Sequence, residues 1–228
     1  MANFEGQTKV LNLVIGREPE AIARTLAMMA YNPAIGRVLS KGGVKQFQDL
    51  VWEIVPKLYH VQASREQFDK LHAETCHQII ATFRTNRQES LSYGQAQKPL
   101  NVFLKVYVDW AKQPTREVAD KLAPFLHVPL DRLLMEFFSR ELPHEYQSHI
   151  AVLRRQRIER TAERLAMVTG KKHSRALTGA VIGNEFSLGS IDTETYFAWQ
   201  ELFRALYPAK PVMLDIIWFA ERQGSPED

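Results

Sequence analysis

Ser92-Tyr93-Gly94-Gln95-Ala96-Gln97-Lys98-Pro99-Leu100-Asn101-Val102-Phe103-Leu104-Lys105-Val106-Tyr107-Val108-Asp109-Trp110 is the stretch on which the fold turns. A helical pattern, His77 to Arg87, precedes it, and the chain stays apolar after it. The expected unit is a helix, a tight hairpin at Gly94 and a second helix. Pro99 marks the start of that second helix, because proline is tolerated in a first turn, where its missing N–H has no intrahelical partner. Lys98 then also falls in the first turn. The helix dipole disfavours an ammonium there and favours the neutral amine.

At about 100° per residue, Lys98, Asn101, Lys105 and Asp109 fall on one narrow stripe. Leu100, Phe103, Leu104, Tyr107, Val108 and Ala111 cover the opposite face, and Val102 and Val106 encroach on the stripe. A helix apolar nearly all round is a buried helix, so its few polar groups need partners. Lys105 and Asp109 can pair with each other at i,i+4. Lys98 has no local acid. Further along comes His127-Val128-Pro129-Leu130-Asp131, followed by another apolar run, with Asp131 placed as an N-cap or first-turn acid.

A helix–hairpin–helix carrying Gln97-Lys98, followed by Val128-Pro129-Leu130-Asp131, resembles the helix-hairpin-helix DNA glycosylase superfamily. Within it, the chain is most similar to the archaeal 8-oxoguanine DNA glycosylases. The resemblance implies that Lys98 is the nucleophile that attacks a sugar C1′ and that Asp131 assists it. Leu214-Asp215-Ile216-Ile217-Trp218-Phe219-Ala220 resembles the last helix of that family. There the acid and the tryptophan help form the base pocket, which implies Asp215 and Trp218 here. The chain departs from the family in its hairpin, where one glycine, Gly94, stands in place of two. It departs again in the spacing of Asp215 to Trp218 and in the length between Asp131 and Tyr196.

The chain has 228 residues, enough for one domain with a sizeable core or for two small lobes around a cleft. The single cysteine, Cys76, excludes a disulfide framework and suits a reducing cytoplasm. Met1 to Gln7 is polar and Val10 to Ile15 is short, so no signal peptide is expected, and nothing approaches a membrane span. The net charge of +3 permits nucleic acid without arguing for it. No feature sets an oligomeric state.

The periodicity predicts an all-α protein of about ten helices. Pro19 opens a helix to Tyr31. Val44 to Tyr59 is amphipathic, with Pro56 expected to end or kink it. Ser64 and Gln67 form a capping box for a helix from Arg65 to about Arg87. Thr115 caps Arg116 to Leu126, and Asp131 opens Arg132 to Glu141. Pro143 begins a helix to Thr169, stopped by Gly170. Lys171 to Gly189 is the least helical part, a candidate functional loop. Asp192 or Ser190 caps a helix to Leu206, and Val212 to Arg222 is the last. Trp52, Trp110 and Trp199 sit on apolar patterns that read as core.

Each candidate site has a bland reading beside the functional one. Lys98 with Asp131 is an amine nucleophile with its acid, or a solvated lysine beside an N-cap. The start at Gly94, Gln95 and Gln97 is a phosphate site made of helix N–H groups, or an ordinary turn. The basic run Arg154 to Arg175 tracks a DNA backbone, or is a solvated helix face. Lys171, Lys172 and Arg175, beyond the helix, are its better DNA contacts. Asp215 and Trp218 line a pocket for an extruded base, or are a first-turn acid and a core tryptophan. His72, Cys76 and His77 lie close in sequence but lack a second ligand cluster, so no metal is expected. No Walker loop, dinucleotide fingerprint, HExxH or GxSxG occurs, and no cofactor is expected. The expected function is a DNA glycosylase with lyase activity. The alternative is a non-enzymatic helical module that binds DNA or protein on the same scaffold.

Overall fold

The computed structural model describes residues 17–31, 35–36, 38–40, 42–170, 178–179, 182–217 and 220. Helix α1 covers 17–31. It is followed by α2 (Gly43–Val61), α3 (Arg65–Thr82), α4 (Tyr93–Leu104), α5 (Arg116–Leu122), α6 (Arg132–Glu141), α7 (Pro143–Glu145), α8 (Val152–Thr169) and α9 (Thr193–Leu206). Helix α4 runs on into a π-helical turn, Lys105–Trp110, and a second π turn, Tyr146–Ala151, joins α7 to α8. Among the described residues there is no strand, only isolated bridges at Leu39–Thr85 and Arg84–Ser90. The expected all-α class is what the chain forms. Among the described residues no helix is long and apolar enough to cross a membrane.

Helix α4 is the axis of the core. Ala96, Leu100, Phe103 and Leu104 are all buried. On one side an aromatic row, Tyr31–Phe47–Phe103–Tyr107, ties α4 to α1 and α2 with ring centroids 5.5, 6.4 and 5.1 Å apart. A second aromatic row, Tyr146–Trp199–Phe203–Phe138, links the second π turn and α6 to α9. Such rings supply both large apolar burial and preferred tilted or edge contacts.

The start of α4 differs from the expected hairpin. Ser92 caps the helix with a complete capping box, its Oγ accepting from Gln95 N while Gln95 Oε1 accepts from Ser92 N. This cap starts the helix a full turn before Pro99. Pro99 therefore lies inside α4, and Lys98 is not in the first turn. The proline leaves only the Gln95 carbonyl without its usual donor. Gly94 is a packing glycine in the helix, not a turn. A Cβ there would run into the Leu188 carbonyl and lie 2.7 Å from Ile191 Cβ.

Other boundaries shift for local reasons. Helix α3 ends at Thr82, because Phe83 turns extended and Thr85 Oγ1 accepts from the N–H groups of Arg87 and Glu89. A side chain thereby offers the backbone an alternative to the helix. Helix α2 passes through Pro56 to Val61. Helix α5 stops at Leu122 and tightens into a 3₁₀ turn, Ala123–Phe125. The last expected helix is, over its described part, a 3₁₀ turn at Pro211–Ile216. Thr115, Asp131, Asp192 and Gly170 act as the expected caps, with Gly170 left-handed at φ 67.

The first π turn also redirects side chains. An extra residue in one turn rotates every later side chain about the helix axis. Trp110, expected in the core, is 65 % exposed, whereas Trp199 is buried and Trp52 half-buried. Lys105 and Asp109 do not pair with each other. Lys105 reaches Asp215, and Asp109 takes Lys210 and Lys112.

Candidate functional site

Lys98 and Asp131 meet. Lys98 Nζ lies 3.1 Å from Asp131 Oδ2 and 3.5 Å from the Pro129 carbonyl. Asp131 Oδ1 accepts the Leu134 N–H at 2.9 Å, so the same carboxylate caps α6. The two side chains are 12 % and 26 % exposed, which leaves the pair reachable from solvent but mostly desolvated. The arrangement puts an amine nitrogen and a carboxylate oxygen in direct contact at that edge.

A second lysine–acid pair lies further along the same helix. Lys105 Nζ contacts Asp215 Oδ2 at 2.6 Å, and both side chains are nearly buried. Asp215 Oδ1 is buried and has no hydrogen-bond partner among the described residues. Lys105 Nζ also sits 5.0 Å from the centre of the exposed Trp110 ring. A buried carboxylate oxygen without a donor is costly, and it is free to accept one from a ligand. Trp218, the other expected pocket residue, lies outside the described residues.

The start of α4 offers little to a phosphate. Gly94 N donates to the Ile191 carbonyl, Gln95 N to Ser92 Oγ and Ala96 N to the Ser92 carbonyl, each at 3.1 Å. Gln97 is fully buried and internally bonded. Gly94, Gln95 and Gln97, read from the sequence as a DNA-backbone site, are therefore committed to packing and capping. Lys171, Lys172 and Arg175 lie outside the described residues. Within α8, Arg154 and Arg157 donate to the carbonyls of Gly183 and Ser190, and Arg160 pairs with Glu194. That part of the basic run fastens the 183–194 segment.

The sequence reading missed a buried polar network behind the pair. Asn101 Nδ2 donates to Gln97 Oε1 (2.7 Å) and to Tyr196 Oη (2.8 Å), and its Oδ1 lies 2.7 Å from His72 Nε2. Tyr196 Oη is 2.7 Å from His127 Nδ1, and His127 Nε2 is 2.6 Å from Asp69 Oδ1. With His127 Nε2–H donating to Asp69, Tyr196 O–H donates to His127 Nδ1 and His72 Nε2–H to Asn101, while Arg204 Nη2, itself a donor, also lies 2.8 Å from His127 Nε2. Arg204 closes the chain on Asp69.

Electrostatics fit that assignment. Burial lowers the His72 pKa well below the usual histidine value, helped by His127 nearby. Burial also lowers His127, against the opposing hydrogen bond to Asp69. Burial raises Asp69, but the hydrogen bonds from His127 and Arg204 outweigh it and hold the carboxyl at about 2. Burial raises Tyr196 well above the usual phenol value, and raises the Cys76 thiol beside His72. Both imidazoles are thus neutral and Asp69 is ionised near neutral pH. A signal for this network does exist in the sequence. Gln97 and Asn101, one turn apart on a helix otherwise apolar, require buried partners.

Among the described residues no group of three or more His, Cys, Asp and Glu is placed to hold a metal ion. No protein-family profile, no curated protein and no solved structure matches the chain.

Proposed function

We propose that the chain is a DNA glycosylase with β-elimination lyase activity, with Lys98 as nucleophile and Asp131 as its proton acceptor. The observation that carries this reading is the 3.1 Å contact between Lys98 Nζ and Asp131 Oδ2 at the solvent edge of a buried helix. Asp131 takes a proton from the ammonium, and the free amine bonds to C1′ of the damaged nucleotide. The glycosidic bond breaks with its electron pair leaving on the base, which takes up a proton. The attached nitrogen loses a proton, and its lone pair then opens the sugar ring by breaking the C1′–O4′ bond, with O4′ taking up a proton. The iminium so formed at C1′ acidifies the neighbouring C2′–H, and loss of that proton expels the 3′ phosphate.

The orphan oxygen of Asp215, held by Lys105 about 10 Å further along the same helix from Lys98, supports the reading as a candidate base contact. It is an acceptor suited to an N–H edge of a nucleotide turned out of the stack. One observation favours the second reading, a helical DNA- or protein-binding module without catalysis. The N–H groups of Gly94, Gln95 and Ala96 are all used internally, so the start of α4 lacks an open phosphate seat.

Borohydride trapping on an abasic-site oligonucleotide separates the two. A covalent band with the wild-type protein that disappears in Lys98→Ala, with DNA affinity retained, is expected of the enzyme. DNA binding with no band in either protein favours the module, and an undiminished band in Lys98→Ala removes Lys98 from the chemistry.

A further inference from the structure

The segment between Leu126 and Asp131 forms neither helix nor strand, yet Val128 and Leu130 are completely buried. Buried backbone N–H and C=O groups must be paired. Here two glutamine side chains supply what a neighbouring strand would. Gln200 Oε1 accepts the Val128 N–H at 2.8 Å, and Gln200 Nε2 donates to the Val128 carbonyl at 3.0 Å. Gln97 does the same for Leu130, accepting its N–H at 3.3 Å and donating to its carbonyl at 3.3 Å.

The two clamps act next to the candidate pair. Gln97 precedes Lys98, and Leu130 precedes Asp131. The Gln97 amide cannot flip without loss, because Asn101 Nδ2 donates to its Oε1 and its Nε2 donates to the Gly94 carbonyl. Asn101 is in turn held by His72 and Tyr196. The Asn101 amide is oriented independently by the Val128 carbonyl, which accepts from its Nδ2.

We propose that Gln97 and Gln200 are positioning residues whose carboxamides hold Val128 and Leu130, and so set Asp131 opposite Lys98. This rests on the reading of Lys98 and Asp131 as the reacting pair. Neither glutamine touches the contact between Lys98 Nζ and Asp131 Oδ2; each acts through the backbone. Their function is preorganisation. Misplacing a reacting group by about 1 Å costs on the order of a hundredfold in rate.

Gln200→Glu and Gln200→Met test this. A protonated glutamic acid presents the same acceptor and a donor, so it restores the clamp; the ionised form sets two acceptors against the Val128 carbonyl. Tyr196 and Arg204 flank position 200 on α9, with Asp69 and His127 beside them and Glu201 bonded to Arg204. Arg204 is already neutralised by Asp69 and Glu201, so burial dominates and keeps the new acid protonated to higher pH than in the unfolded chain. The clamp of the Glu variant is thus complete at low pH and is lost as pH rises.

The readouts are amide-exchange protection at Val128 and Leu130, and the trapping rate at saturating abasic DNA, from about pH 5 to about pH 8. Gln200→Met is expected to lower Val128 protection and the trapping rate by about tenfold or more throughout. Gln200→Glu is expected to match wild type at the acid end and the Met variant at the basic end. If the Met variant fails to fold, the fall of the Glu variant from wild-type values at the acid end, where it is isosteric, to lower ones at the basic end still decides. Unchanged Val128 protection overturns the proposal. So does lost protection with an unchanged trapping rate. Absence of trapping in wild type removes the lysine reading alone, and the exchange data then decide whether the glutamines hold the segment.

Discussion

Asp131 serves Lys98 and the head of α6 with different oxygens. Oδ2 contacts Lys98 Nζ at 3.1 Å, and Oδ1 accepts the Leu134 N–H at 2.9 Å. The cap fixes the carboxylate, and the fixed carboxylate waits for the amine. The two roles separate by substitution. Asparagine caps a helix about as well as aspartate but cannot take a proton. Asp131→Asn is expected to keep the cap of α6, to lose only the ion pair with Lys98, and to cut the trapping rate at least about tenfold. Asp131→Ala is expected to lose about 1 kcal/mol as well. Denaturant titration beside trapping kinetics checks both, and equal trapping by Asp131→Asn and wild type would remove the acid from the chemistry.

Lys105 and Asp215 form the most buried pair on the same helix. Removing the cation alone leaves a carboxylate in the core with neither oxygen compensated. Lys105→Met is therefore expected to cost about 3–5 kcal/mol. The double variant Lys105→Met/Asp215→Leu is expected to recover most of that, since an apolar pair of similar volume replaces the charges. Urea unfolding of the four proteins of the cycle measures the coupling. A double variant as unstable as Lys105→Met would show that packing, not charge, is at stake.

The His72–His127–Asp69 network makes stability fall toward acid in two stages. His72 and His127 have lowered pKa values when folded, so the unfolded chain binds their protons first. Their contribution is complete above about pH 6.5 and is lost as pH falls below it. Asp69 is lowered from 3.8 to about 2, so its contribution is present above about pH 4 and is lost as pH falls toward the folded value. It is worth roughly 2 kcal/mol. Melting temperature against pH is expected to decline from neutrality to pH 5 and more steeply below pH 4. In His72→Gln the first decline is expected to shrink. A flat profile in the wild type from neutrality to pH 5 would contradict buried neutral imidazoles.

Gly94 is expected to tolerate no side chain. Alanine is the better helix former by about 1 kcal/mol. At this position, however, its Cβ would strike the Leu188 carbonyl and Ile191 Cβ. Gly94→Ala is expected to lose a net 1–3 kcal/mol, roughly, through displacement of the 188–191 segment. Thermal melts test the loss. Stabilisation by the alanine would mean that the glycine serves the approach of something outside the chain.

Caps were legible because they are local. Ser64, Thr115, Asp131, Asp192 and Gly170 each act within a few residues as their residue types predict, although Ser64 caps α3 through the Gln67 N–H alone and not as the expected capping box. Pro99 misled for the same reason. Read alone it marks a helix start, but the capping box at Ser92 and the packing of Gly94 on Ile191 outweigh one missing N–H. The π turn at Lys105–Trp110 had no local signature, so the partners of Lys105 and Asp109 and the exposure of Trp110 were misassigned.

By itself the sequence determined the all-helical class, the buried character of α4 and the cap by which Asp131 opens α6. Period, cap chemistry and motif spacing are properties of the chain that survive any packing. Only the tertiary structure decided which groups share the buried hydrogen bonds. His72, Asn101, His127 and Tyr196 come from four separate segments, and their burial together lowers the proton affinity of the two imidazoles and raises that of the phenol. A group's charge and bonding depend on what desolvates it, and packing of distant segments sets that.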